Sequence, residues 1–580
     1  MGSLRSIHPA ENHIAYKTFM KNTFLLTIAL IIPAFGVKAH APTPGVATTT
    51  QELSLGTVNF PTSAESEKAQ ASFLRGVAAL HSFSYDLALE AFRQSTKIEP
   101  DFMMGYWGEA MAYNRSLWGQ QDTEVARKVL ARIKDTPRLT PKERAYLHAV
   151  KILYGEGDKA VRDKAYAAAM EEIHREHPDD LEAASFSVIA LLGSIRSDDP
   201  AGLRTRIRAG AIALEVARKK PDHPGAVHYI LHAFDDPDHA ILALPAARRY
   251  AEIAPGAPHA LHMPSHVFLQ LGMWPETAST LEQVWVHEKE LPVSKRDYHS
   301  LYWLHYVYLQ QGRYSKAEEL LTLMQKSLAE SPKDDSSFLG YATFIHSSMA
   351  AAFIVETARW DLAIKLIDPL QQDTAKFIDA IEGSPGQYQG LAKYIKTLWI
   401  FTRGMAAAQK GSPEARKSID ALQAMEQRAG TGDLPSIGLP LSKVLEIQGL
   451  EIAGVASASK GKLNEAIKSM EKATAVEESV PPLPGPPPLI KPPHELFGEI
   501  LLQADRPAEA EKQFKMALLR HTNRARSLLG AARAAARQKD REGAISAYSQ
   551  FVHQWQQSDG GLPELQEARN YLKQANAHQE

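Results

Sequence analysis

The sequence predicts an all-α protein built as a solenoid of stacked helix–turn–helix pairs, and three observations carry that prediction. Small and aromatic residues recur at fixed offsets with a period near 34 residues, as between Ala510 and Ala544. Self-similarity of this length marks a repeat array, which grows without needing one central core. Strand-type alternation of apolar and polar residues is nearly absent. A hydrophobic content of 44% with 23% charged residues, over 580 residues, excludes a disordered chain.

At the N-terminus, Met20-Lys21-Asn22-Thr23 leads into an apolar run from Phe24 to Val37, followed by Ala39-His40-Ala41. A basic start, an apolar core and a small-x-small site are the parts of an export signal. Residues 1–41 are therefore expected to be a signal peptide, with Met1–Phe19 an upstream extension and cleavage after Ala41. The apolar run contains Pro33 and is too short for the ~20 residues of a spanning helix. A periplasmic or secreted protein with no stable membrane anchor follows, and residues 42–64 read as a flexible leader.

Next come the repeats. Gly76, Ala88, Phe92 and Pro100 are spaced by 12, 4 and 8 residues, and Tyr106, Ala110 and Tyr113 continue the pattern. Second-helix signatures recur at Gly272-Met273-Trp274, at Gly312-Arg313-Tyr314 with Ala317, at Arg359-Trp360 with Ala363 and at Gly461-Lys462-Leu463 with Ala466. Near the end stand Ala510, Phe514 and Ala517, then Ala544, Tyr548 and Phe551. These segments resemble the tetratricopeptide repeat (TPR) family. The resemblance implies a right-handed superhelix whose first helices line a concave groove. It is closest in 65–120, 222–330 and 494–580; residues 121–221 read as irregular helical pairs and 331–479 as further helical repeats. Residues 480–493, with Pro481, Pro482, Pro484, Pro486, Pro487, Pro488, Pro492 and Pro493, cannot be helical throughout. They read as a stiff connector or as a rim that helps close the groove.

The densest chemistry lies between His223 and His266. His228 and His232 are one helical turn apart, as are His262 and His266, and the second pair follows the first by 34 residues. Residues four apart share a helix face, so one repeat period brings the two pairs onto neighbouring first helices, ~8–10 Å apart. In the TPR register these are the fifth and ninth positions of the first helix, which in that family face the groove. His259 and His299 fall at second positions, Asp235 at a twelfth, and Tyr302 and Tyr306 at the fifth and ninth of the next unit. Imidazoles with a carboxylate and no thiol suit Zn, Cu, Ni or Fe. His228, His232, His259, His262, His266, His299 and Asp235 are thus candidate ligands for a divalent transition metal. A metal-free polar pocket, or simple packing, is the alternative.

Other candidates follow from the same register. Glu495 and Glu499 take groove positions and could serve as acid and base; His494-Glu495 begins like a zincin motif, but Gly498 stands where its second histidine is required. Trp107 gives the groove an aromatic end, and Arg526 and Arg533 a basic one. Lys+Arg of 65 against Asp+Glu of 67 gives no electrostatic case for nucleic acid. The absence of cysteine excludes disulfides, thiolate metal sites and cysteine nucleophiles. No phosphate-binding glycine loop or nucleophile elbow is found. The expected ligand is a peptide, protein or small molecule in the concave groove, and the alternative function is a hydrolytic or oxidative metalloenzyme.

The turn His81-Ser82-Phe83-Ser84-Tyr85, the segment Tyr106-Trp107-Gly108-Glu109-Ala110, the motif His262-Met263-Pro264-Ser265-His266 and the segment Asn523-Arg524-Ala525-Arg526 together resemble one group of exported bacterial TPR proteins. That resemblance implies fold and export and leaves the chemistry open.

Overall fold

A computed structural model describes residues 54–196, 199–331, 335–383, 387–429 and 439–577. The expected signal peptide (residues 1–41) and residues 42–53 of the expected leader lie outside these residues. Helix follows helix from Glu67–His81 to Pro563–Ala577, and the one strand pairing among the described residues is the short ladder of Asn114–Arg115 with Gln120–Gln121. The protein is an all-α repeat solenoid.

The period has a steric cause. Phe92 lies between Gly76 and Gly108, and a Cβ on Gly76 would stand 2.6 Å from its ring. Phe514 is held in the same way by Gly498 and Gly530, with a Cβ on Gly498 at 2.7 Å. Each phenylalanine on a second helix thus needs a glycine 16 residues to either side, on the two first helices that flank it. This also explains Gly498: it makes room for Phe514, so a zincin histidine has no place there.

Both arms of the solenoid fold back onto its centre. At the N-terminal side, helix Glu67–His81 packs against helix Pro224–Ala233, where Gly225 leaves room for the His81 imidazole. At the C-terminal side, Trp274 Nε1 donates to the Asn523 carbonyl at 3.0 Å, Ala525 N donates to Gln310 Oε1 at 3.0 Å, and Asp559 N donates to the Gly312 carbonyl at 3.0 Å. Gly272 and Gly312 sit at positive φ in the two turns that receive these contacts. One large apolar core runs from Leu55 to Phe268 and a second from Leu269 to Ala534, so the seam between the arms falls at the second histidine pair.

Each concave face is filled by an extended piece of the chain. Residues 54–64, expected to be flexible, thread along the first helices of the N-terminal arm. Phe60 is buried against Phe73, Trp107, Tyr146 and Phe186, and the backbone of Ser63 donates to Glu143 at 2.7 Å. In the C-terminal arm the proline-rich segment takes this place. Gly485 lies against Trp303, the Pro488 carbonyl accepts from Tyr394 at 2.7 Å, and Leu483, Leu489 and Ile490 are buried. It is an interior filling of the superhelix rather than a connector across its surface. Helix Phe338–Thr357 is long and apolar enough to cross a membrane, and it is buried within the C-terminal arm.

Candidate metal centre

Four helices meet at the seam. His228 and His232 come from Pro224–Ala233, His259 and His262 from Pro258–His262, His266 from Pro264–Gln270, and His299 from Tyr298–Gln310. Pro264 has no N–H to donate back into the preceding turn, so the helix is interrupted at Met263 and restarts. The interruption separates His262 and His266 onto two short helices.

The imidazoles gather as two triads rather than as one four-histidine site. In each, one ring nitrogen per residue lies within 4.8 Å of the others: His228, His232 and His259 in the first, His262, His266 and His299 in the second. In the first triad His228 and His232 meet Nε2 to Nε2 at 3.0 Å, and His232 meets His259 at 3.5 Å. In the second, His262 and His266 meet Nε2 to Nε2 at 2.8 Å. Around a tetrahedral ion with bonds of ~2.0–2.1 Å, neighbouring donors stand about 3.3 Å apart, so these separations are of the right size.

The outward nitrogens decide the tautomers. His228 Nδ1 is 2.6 Å from the carbonyl of His81, which only accepts, so Nδ1 carries the proton. His266 Nδ1 donates likewise to Asp235 Oδ2 at 2.8 Å. Ser300 gives its hydroxyl proton to Asp297, and its oxygen therefore accepts from His262 Nδ1 at 2.8 Å. In a neutral ring the other nitrogen is then a bare lone pair. His262 and His266 thus meet Nε2 to Nε2 across 2.8 Å, and with both rings neutral two lone pairs would oppose each other there. Burial and, behind it, the neighbouring imidazoles hold His228, His232 and His259 well below the ordinary histidine pKa, His262 at about 4 and His299 at about 3. Outward Nδ1–H bonds to carbonyl or carboxylate, with Nε2 inward, are the usual support of metal-bound histidine.

Aromatic rings wall both triads. Phe83, at positive φ in the turn after helix Glu67–His81, has its centroid 4.3 Å from that of His228, 5.5 Å from His232 and 5.4 Å from His259. Trp303 lies 4.4 Å from His266 and 4.6 Å from His299. His232, His259 and His299 are half-buried, whereas His228, His262 and His266 are buried.

A third cluster, His81, Glu182 and His223, is also close-set, but its histidines are turned to partners within the fold. The Ala226 N–H donates to His223 Nδ1 at 3.1 Å, so the proton of His223 is on Nε2, turned toward Glu182 at 3.3 Å. His81 bonds Glu182 through Nε2 at 2.7 Å and Tyr229 through Nδ1 at 2.9 Å. With no lone pair of His223 to offer, this cluster is a brace that fixes the His81 carbonyl beneath His228.

The remaining expected site residues fall elsewhere. Asp235 stands behind His266, on its outward nitrogen, rather than within either triad. Glu495 is fully buried between Lys491 at 2.9 Å and Arg524 at 2.7 Å, with Ser527 also donating to it, and Glu499 pairs with Lys491 at 2.7 Å. Burial alone would raise the Glu495 pKa, but Arg524 and Lys491 hold it well below the carboxylate range. An ionised carboxylate already saturated by donors is a poor general base, and these two are tied into an ion network apart from the triads. Trp107 is core, because Phe60 fills the groove it was expected to line. Tyr306 accepts from Arg524 at 3.2 Å, Arg526 bonds the Glu356 carbonyl at 2.8 Å, and Arg533 pairs with Glu567 at 2.6 Å, so all three serve packing between repeats. Tyr302 is packed against the C-terminal core.

Sequence reasoning did not place Asp297, Ser300 or Trp303 at the site, and it singled out His81 and Phe83 only as part of a turn that carries a resemblance. Asp297 carried a signal: it is an acidic N-cap immediately before Tyr298, accepting from the amides of His299 and Ser300. The others act through long-range docking, which periodicity does not encode.

No protein-family profile matches the chain, and no curated protein matches it. Solved structures align over most of its length at low identity. A monomeric mutant of IFIT1 with Gppp-AAAA is 14% identical over 90% of this chain and 92% of its own, with a TM-score of 0.31. The APC/C hetero-tetramer Cut9–Hcn1 is 12% identical over 88% and 96%, with a TM-score of 0.24. The TPR domain of P58(IPK) is 15% identical over 64% and 99%, with a TM-score of 0.20. Superpositions this loose carry no functional argument; the repeat architecture rests on the chain's own helix pairing.

Proposed function

We propose that this protein is an exported metal-binding solenoid that holds two transition-metal ions, one in each histidine triad. The observation that carries the reading is the opposed pair His262 and His266. Two imidazole lone pairs 2.8 Å apart repel unless something positive lies between them. A metal ion satisfies both, and the outward bonds to Asp235 and to Ser300 with Asp297 set the rings for it. The first triad repeats the arrangement through His228 and the His81 carbonyl.

Three neutral nitrogens per ion leave coordination positions open, as sites that act on a bound molecule require. The self-filled concave faces favour a small ligand at the seam over a long peptide in the groove. The near-neutral chain favours a metal over a phosphate backbone as the occupant. The apolar run before Ala41 supports a periplasmic or secreted location.

The test is elemental analysis of mature protein purified without a metal-affinity tag, beside a variant carrying His228→Ala, His232→Ala, His262→Ala and His266→Ala. Two ions of Zn, Cu, Ni or Fe per chain, lost in the variant, are expected. A wild type that stays metal-free after reconstitution would sink the reading.

A further inference from the structure

Three features of the seam go beyond metal binding. The first is charge. All six inward donors are imidazoles, which are uncharged as metal ligands, and the carboxylates that support them are two, Asp235 behind His266 and Asp297 behind His262. Two monovalent cations balance two carboxylates. Two divalent cations leave two positive charges in excess inside a largely buried site, which is costly unless an anion joins them. The second is sharing. His259 and His262 are three residues apart on one five-residue helix, yet they belong to different triads, and their ring centroids are 6.3 Å apart. A single helical turn therefore carries one ring of each triad. The third is access. The half-buried residues His232, His259 and His299 are the least enclosed of the six, while Phe83 and Trp303 close the flanks with apolar surface.

Copper(I) meets the first condition. It is monovalent, it binds imidazole, and in the divalent state copper stands at the top of the affinity order for nitrogen donors. We propose that the two triads work as one unit: two copper(I) ions bind dioxygen between them and reduce it to peroxide. Each copper gives one electron and becomes copper(II), dioxygen takes both, and its double bond becomes a single bond as copper–oxygen bonds form. No proton moves. The product balances as well, because two copper(II) ions, two carboxylates and one peroxide dianion sum to zero. The proposal rests on the two-ion reading above.

The experiment loads metal-free mature protein with copper(I) under anaerobic conditions, counts copper, and then admits dioxygen; a zinc titration runs in parallel. Two copper ions per chain, uptake of one dioxygen per chain, a new near-ultraviolet band and no paramagnetic copper(II) signal are expected, since bridged copper(II) ions couple. His232→Ala and His299→Ala, both half-buried and one in each triad, are expected to keep one copper and lose dioxygen uptake altogether. Two copper ions that oxidise to separate, fully visible copper(II) signals would overturn the proposal and leave the two-ion reading standing. So would two zinc ions with no copper(I) binding, or full dioxygen uptake by either single variant. Failure to bind either metal would overturn both.

Discussion

A Cβ on Gly485 would stand 2.9 Å from Cζ2 of Trp303. The proline-rich filling therefore touches the indole that walls the second triad, and Gly485 holds positive φ there, where other residues are strained. Gly485→Val is expected to cost ~1–3 kcal/mol of stability and to push Trp303 toward His266 and His299. Metal competition titrations should show weaker binding at one site of two. Equal affinities in wild type and variant would mean that the filling does not support the triad.

Asp235 is expected to act through His266. Asp235→Asn keeps the shape but replaces the carboxylate that fixes the His266 tautomer. Loss of such an outer partner typically lowers metal affinity ~10–100-fold. Chelator competition would measure it, with urea unfolding of the metal-free protein as the control for folding.

Arg524 is fully buried, with Glu356 and Glu495 as ionic partners and Tyr306 as a third contact. Arg524→Met would remove the cation shared by two buried carboxylates, leaving Glu495 with Lys491 at 2.9 Å and Glu356 with Arg526 at 3.8 Å, and ~3–5 kcal/mol of destabilisation is expected. Adding Glu356→Gln and Glu495→Gln to the variant should restore part of it. An Arg524→Met protein with an unchanged urea midpoint would contradict the buried-hub assignment.

Acid should unfold the metal-free protein early. Burial, reinforced for His305 by His346, holds His305 at about 3 and His346 at about 4; burial and then the charges of Arg524 and Arg520 hold His521 at about 3. These groups stay neutral in the fold but take a proton in the unfolded chain below ~6.5. Their stabilisation is complete above that value and falls with pH down to about 3–4. Each such histidine contributes up to ~1.4 kcal/mol per pH unit in that window. Urea midpoints at pH 7 and pH 5 should differ markedly, and His305→Leu should make the difference smaller.

The repeat architecture was legible in the spacing of Gly76, Ala88, Phe92 and Pro100 and of Ala510 and Ala544, and the structure supplies a steric reason for such spacing, since Phe92 and Phe514 each need a glycine 16 residues before and after. The paired histidines were legible for the same reason, since His228 and His262 share a register position. What the register did not show is which rings join which. His259 and His299 complete separate triads because Pro264 breaks the helix between them and the arms dock at the seam. Trp107 and the residues near Glu495 took groove positions in the register, yet no register shows that Phe60 and the proline-rich segment occupy those grooves. Fillings of this kind depend on contacts far apart in sequence and leave no periodic trace.

The docking of Asn523 onto Trp274 joins residues 249 positions apart. At synthesis rates of ~5–20 residues per second, the turn at Gly272 exists for roughly 12–50 s before its partner has been made. Throughout that interval the turns at Gly272 and Gly312 lack these contacts, which the C-terminal arm supplies together rather than one repeat at a time. A solenoid that could otherwise assemble progressively from its first repeat is thereby obliged to wait for its last.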